Sequence, residues 1–240
     1  MAEVTLLQTR GLTRRFGGLT AVDRVDFTLM QGEIRAIIGP NGAGKSTFVG
    51  LLSGRIAPDA GTVLFDGQDI TRLPAHRRVR LGIAYTFQIT NIYPAMTVRE
   101  NLAVAAQSRL AHEAEITAAA QEAALAVGLE DRLPDRAGAL SYGHQRLLEV
   151  AMGLALHPKL LILDEPTQGL SDDEIDNFLT VVRRVAQTAT VLLIEHNMDV
   201  VMALATAITV FDRGRVLAEG PPEAIARDPA VQDAYLGRAT

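Results

Sequence analysis

No cysteine and no tryptophan occur in the 240 residues, and aromatic side chains make up only 5%. Without cysteine, disulfides and thiolate metal sites are excluded. So few aromatics argue against a surface that stacks on carbohydrate or nucleobases. Basic charge is also short: 23 Lys and Arg face 28 Asp and Glu, a formal net charge of −5. A dedicated nucleic-acid binder carries a basic excess. Long apolar runs are missing too. The longest, VVMALATAITVF at 200–211, falls short of the roughly 20 residues that span a bilayer. Any membrane role therefore goes through a partner. The opening MAEVTLLQTR has no basic segment followed by an apolar run, so no signal peptide is expected. What is present, 48% hydrophobic and 21% charged residues, suffices for one large α/β core.

The first third reads as strands. VTLLQT (4–9), RVDFTLM (24–30) and GTVLFDG (61–67) lie between turn signals. IRAIIG (34–39) is apolar apart from Arg35, as in a strand buried on both faces. The middle, about 90–157, is Ala-rich with helical periodicity. Thr97 and Glu100 form the pattern of a capping box, Gly128 suits a helix C-cap, and a further helix is expected from about 142 to Pro158. Strands return at LLILDE (160–165) and TVLLIEH (190–196), then a hairpin at 207–220 turning at Arg213-Gly214. Helices over about 172–187 and 198–205 fall between them. Buried strands alternating with helices predict a mostly parallel sheet, here interrupted by an all-helical lobe.

GPNGAGKST (39–47) matches G-x-x-x-x-G-K-[ST], after a buried strand and before a helix. Glycines 39, 42 and 44 let the backbone curl until its N–H groups face phosphate oxygens. The helix N-terminus adds the positive end of its dipole. Lys45 would reach the β- and γ-phosphates, and the Ser46 hydroxyl would hold Mg²⁺. The nucleotide-binding set is thus Gly39, Asn41, Gly42, Ala43, Gly44, Lys45, Ser46 and Thr47.

LLILDEP (160–166) puts two carboxylates at the end of an apolar strand, where ligands sit in such sheets. Asp164 fits the metal-side acid, completing Mg²⁺ coordination with Ser46. Glu165 leaves on a different face and can orient or deprotonate an attacking water. His196 ends the strand TVLLIEH; it is either a surface residue or a hydrogen-bond partner of the γ-phosphate. Gln88 ends GIAYTFQ in the same manner, either as a loop residue or with its amide on Mg²⁺ or the water.

The order of these segments, with LSYGHQR (140–146) between Gln88 and LLILDEP, resembles the ATP-binding subunits of ABC transporters over essentially the whole chain. The resemblance implies a P-loop NTPase (RecA-like) α/β core with an antiparallel β-subdomain and an inserted all-helical subdomain. One ABC ATP-binding domain would cover 1–240, with the core at about 1–88 and 158–240 and the helical subdomain at about 89–157. It implies ATP and Mg²⁺ as ligands, with Glu165, His196, Gln88 and Lys45 catalytic, and Ser46, Gln88 and Asp164 at the metal. Phe16, in RRFGG, either matches the aromatic that stacks on adenine or belongs to a small core near the edge strands.

In this family the segment L-S-G-G-Q reads nucleotide held by a second subunit. Here Ser141 stands where the N-cap of the following helix belongs, Gly143 permits close backbone approach, and His144 would reach the ribose or solvent. Departures are Tyr142 for the first Gly, His144 for Gln, and Ser171 where an Asp is common.

TFQITNIYPAMTVRENL (86–102) and the tail EGPPEAIARDPAVQDAYLG (219–237) resemble importers of branched-chain and related hydrophobic amino acids. Urea and short-amide importers share these features, and a soluble ABC-type ATPase is the rival of another class. Implied partners are a second ATP-binding subunit, identical or related, two membrane-spanning permease subunits and, indirectly, a solute-binding protein; no nucleic acid is implied. The implied location is peripheral, on the cytoplasmic face of the inner (plasma) membrane. Ile89, Ile92, Tyr93, Pro94 and Met96 either floor an apolar groove for a permease helix or bury beneath the helical lobe.

Overall fold

The computed structural model describes residues 4–86 and 91–236. They fall into two compact units, Met1–Arg78 with Thr190–Thr240, and Val79–Ala189.

In the first unit, β1 (Thr5–Phe16) and β2 (Leu19–Met30) pair antiparallel. β1 also pairs with β4 (Ala60–Phe65), which continues to the short β5 (Gln68–Asp69). Both β1 and β2 run farther than their apolar cores suggest, because the tight turn at Gly17–Gly18 lets the ladder close as far as the Phe16–Leu19 pair. The second sheet of this unit is built on β3 (Ile34–Ile38). It lies parallel to β8 (Thr190–Ile194) and to β9 (Ala207–Asp212), and β9 turns back antiparallel into β10 (Arg215–Gly220). Every residue of β8 is buried, which explains the unbroken apolar run Val191–Ile194.

Helix α1 (Lys45–Ser53) leaves β3 through the glycine-rich loop and packs by Phe48 against Phe27 and Phe211, with ring centroids 5.4 and 4.9 Å apart. Between β8 and β9 runs α7 (Met198–Leu204). The tail folds as α8 (Pro222–Arg227) and α9 (Pro229–Leu236), with Ile225 and Val231 packed into the cluster of Ala36, Ile38, Ile208 and Val210.

In the second unit, β6 (Ile83–Tyr85) and β7 (Leu160–Asp164) pair parallel. The helical segment is α3 (Val98–Ala106), α4 (Glu113–Val127) and α5 (Tyr142–Leu154), followed after β7 by α6 (Asp172–Val185). Thr97 and Glu100 form the complete capping box at α3, and Gly128 closes α4 in the left-handed conformation. Alanines 119, 120, 123 and 124 are buried on α4. Helix α5 stops short of Pro158 because the residue before proline is disfavoured in the α region; the chain turns at His157 with φ +45°.

Helix α2 (Ala75–Leu81) carries Arg78, whose side chain is almost completely buried. Its guanidinium donates to the carbonyls of Leu51 (2.7 Å) and Leu52 (2.8 Å) in the last turn of α1, and to those of Thr71 (3.0 Å) and Leu73 (2.9 Å). Burial pulls its pKa down to about 10, partly offset by the charge of Asp69, so it remains a cation at neutral pH. A cation at a helix C-terminus opposes the dipole and satisfies carbonyls that have no intrahelical donor. Arg78→Met should lower folding stability by about 2–4 kcal/mol through those stranded carbonyls. Urea unfolding checks this, and an unchanged midpoint would mean the carbonyls find other donors.

Candidate functional site

The first unit holds the glycine-rich loop 39–47. Gly39, Gly42 and Gly44 take φ values of 148°, 80° and 100°. At Gly44 the constraint is double: φ is left-handed, and a Cβ would stand 2.2 Å from the Ala21 carbonyl oxygen. The loop is further pinned by Gly214 N–H donating to the Ala43 carbonyl at 2.9 Å. Gly44 is also the N-cap of α1, and no side chain caps that helix, so its first N–H groups and dipole suit an anion. Lys45 is buried against this loop, its Nζ donating to the carbonyls of Gly39 (2.6 Å) and Pro40 (3.2 Å). Asn41 and Ser46 are exposed, Ala43 is buried and Thr47 half-buried.

Phe16, at the end of β1, is 45% exposed, so it is no core residue. The Arg14 guanidinium lies 4.7 Å from its ring centroid. His196 is exposed just beyond β8. Beneath it the buried Glu195 accepts from the backbone N–H groups of His196 (2.9 Å) and Asn197 (3.1 Å). Glu195 fixes this turn and was not singled out from sequence, since one acid at a strand end carries no distinguishing pattern.

The second unit holds Asp164, Glu165 and the LSYGHQR segment. Asp164 closes β7 and is buried, 6% exposed, while Glu165 is half-buried. Tyr85, the last residue of β6, donates its hydroxyl to Asp164 Oδ2 at 2.5 Å. The register of β6 on β7, Tyr85 opposite Ile162, brings it within reach, and that register is invisible in the sequence. Gln88 and Ile89 lie outside the described residues. Tyr93 and Met96 are exposed, and the buried Asn101 ties their loop through Tyr93 N–H (2.7 Å) and the carbonyls of Tyr93 (3.0 Å) and Thr97 (2.9 Å).

Ser141 is the N-cap of α5, its Oγ accepting from His144 N–H at 3.3 Å and lying 2.8 Å from His144 Nδ1. His144 thus turns back on the cap. Tyr142 finds room by standing 44% exposed beside Gly169. Gly143 N–H donates to Glu174 Oε1 at 3.2 Å, and a Cβ at Gly143 would fall 2.3 Å from that oxygen. The carboxylate of Glu174, three residues beyond the N-cap Ser171 of α6, also accepts from Ser171 N–H (3.0 Å) and Oγ (3.1 Å).

Among the described residues no three His, Cys, Asp or Glu side chains gather into a metal cage. A hydroxyl such as Ser46 and a single carboxylate such as Asp164 are hard oxygen donors. Each is a donor type that suits Mg²⁺, an ion that keeps several waters and takes further ligands from substrate phosphate. No helix among the described residues is long and apolar enough to cross a membrane.

The family model for ABC transporters matches residues 22–168, and that for the branched-chain amino acid ATP-binding cassette transporter matches 215–240. The chain is 38% identical over 251 residues to the high-affinity branched-chain amino acid transport ATP-binding protein BraF of Pseudomonas aeruginosa, covering 98% of both chains. It is 39% identical over 252 residues to LivG of Escherichia coli, of the same description, again with 98% of both chains covered. An ATP-binding cassette of an ABC transporter, solved in an ADP conformation, superposes with a TM-score of 0.89 at 29% identity, over 98% of this chain and 100% of that one.

The bonds to Glu174 carry a pH signature. Hydrogen bonds from Ser171 N–H first, then its hydroxyl and Gly143 N–H, with the charge of His144, hold its carboxyl below the ordinary 4.5. The folded value lies below the unfolded one, so this tie is complete above 4.5 and lost as pH falls through the lower folded value. The Gly143 amide proton resonance should therefore titrate below pH 4.5, and stay flat in Glu174→Gln. A Gly143 amide indifferent to acid in the unaltered chain would contradict the bond.

Proposed function

The chain belongs to the ABC transporter family, and from that premise we propose that it binds and hydrolyses ATP to power an importer of branched-chain or other hydrophobic amino acids. The observation that carries this is likeness along the entire length, tail included, to subunits named for branched-chain amino acid transport.

Phe16 stacks on adenine, for which a π face suffices. Loop residues Gly39, Asn41, Gly42, Ala43, Gly44 and Thr47 wrap the phosphates, and Lys45 exchanges its loop carbonyls for β- and γ-phosphate oxygens. Ser46, Asp164 and Gln88 would hold Mg²⁺, and the ion when bound would neutralise charge on the transferred phosphoryl group. Glu165 accepts a proton from the attacking water. The water oxygen bonds to the γ-phosphorus as the bond to the ADP oxygen breaks. His196 donates to the γ-phosphate.

Ser141 and Gly143, with His144 beside them, face nucleotide carried by a second ATP-binding subunit. Each pocket is complete only in the pair. The core of about 1–88 and 158–240 carries the loop and the acids; the helical subdomain of about 89–157 carries the exposed Tyr93 and Met96 toward two permease subunits at the cytoplasmic face of the membrane. Closure and reopening of the pair around the γ-phosphate drives the permeases, and a solute-binding protein delivers the amino acid.

Glu165→Gln should cut ATP turnover by at least about 10²-fold, retain ATP binding, and run as an ATP-dependent dimer on a sizing column. A variant that stays monomeric with ATP and Mg²⁺, or that turns over normally, would count against these roles. Lys45→Ala should lose ATP binding itself in a nucleotide titration. Labelled leucine uptake in cells, abolished by either substitution, tests the solute class; undiminished uptake would remove it.

A further inference from the structure

Arg146 lies on the first turns of α5 with its side chain 1% exposed. Four of its donor contacts are specific. Nε donates to the Pro166 carbonyl at 3.0 Å, and Nη2 to those of Asp164 (3.1 Å) and Glu165 (2.9 Å). Nη1 donates to Glu149 Oε2 at 2.6 Å, which neutralises the buried charge. Three consecutive carbonyls of the turn bearing both acids therefore converge on one guanidinium. In an extended strand successive residues alternate in direction, so convergence requires the chain to bend there. It does: Glu165 has φ +46°, a left-handed conformation that costs a non-glycine residue about 1–2 kcal/mol.

We propose that Arg146 is a positioning residue for hydrolysis. It selects the left-handed turn at Glu165, and with it the direction in which the Glu165 carboxylate leaves the chain. Because it does so from α5, the helix that opens with Ser141 and Gly143, the nucleotide-reading helix and the water-activating acid share one brace. Lysine cannot replace it, since a single ammonium lacks the planar fork that spans three carbonyls and a carboxylate. The proposal rests on Glu165 acting on the attacking water.

The test compares the full unaltered chain with Arg146→Lys, Arg146→Gln and Glu165→Gln. The readouts are kcat and KM for ATP, trinitrophenyl-ATP affinity and the thermal transition. Arg146→Lys should lose at least about tenfold in kcat, as misplacement of a reacting group by a fraction of an ångström does. Its nucleotide affinity should stay within about threefold and its melting should remain cooperative. Normal kcat in Arg146→Lys beside an inactive Glu165→Gln overturns the role of Arg146 alone. An active Glu165→Gln overturns the reading of Glu165, and the proposal with it. Turnover that falls only in step with nucleotide binding and melting, in both Arg146 variants, makes Arg146 a structural brace and also overturns it.

Discussion

Two guanidinium groups, each shut away from water, brace the end of α1 and the turn that follows β7. Arg78 closes the end of α1, the helix that opens from the phosphate loop, by collecting the carbonyls of Leu51 and Leu52 with those of Thr71 and Leu73. Arg146 collects the carbonyls of Asp164, Glu165 and Pro166. The physical logic is shared. A backbone that must depart from regular structure leaves carbonyls without partners, and a buried carbonyl without a donor is costly. One planar cation with five donors satisfies several at once and fixes their relative directions. Such a cation is itself expensive to bury, so it serves only where its donors are filled.

The architecture was largely legible because its signals are local. Buried strands announce themselves as apolar runs, α3 by its capping box, α4 by Gly128, and the final hairpin by Arg213-Gly214. The phosphate loop and the acid pair at 164–165 follow from fixed spacing. Less visible was whatever depends on register or on a partner distant in sequence. Arginines are usually surface residues, so nothing in RRVR or GHQR distinguishes Arg78 or Arg146 from solvated charge. Tyr85 reaches Asp164 only through strand pairing, and Glu174 reaches Gly143 only because α6 packs beside the head of α5. The short helices α2, α8 and α9 carry too few turns for periodicity to reveal them.

The residues that depart from the family pattern have settled local roles. Tyr142 stands beside Gly169, His144 turns back to Ser141, and Ser171 shares the Glu174 carboxylate with Gly143. At the head of α5 the N–H groups of Gly143 and His144 are thus already engaged within the chain. On the proposed reading, nucleotide from a second subunit that used the same donors would replace existing bonds, and its net gain would be a difference rather than the full strength of new contacts.

If a single chain holds half of each working pocket, ATP turnover per molecule must depend on how many chains are paired. The direct measurement is the rate per chain across a dilution series at saturating ATP and Mg²⁺, with no other protein present. The rate should fall toward zero as pairs separate and recover on reconcentration. A rate per molecule that stays constant down to the most dilute sample would show that one chain suffices, and would contradict the shared pocket.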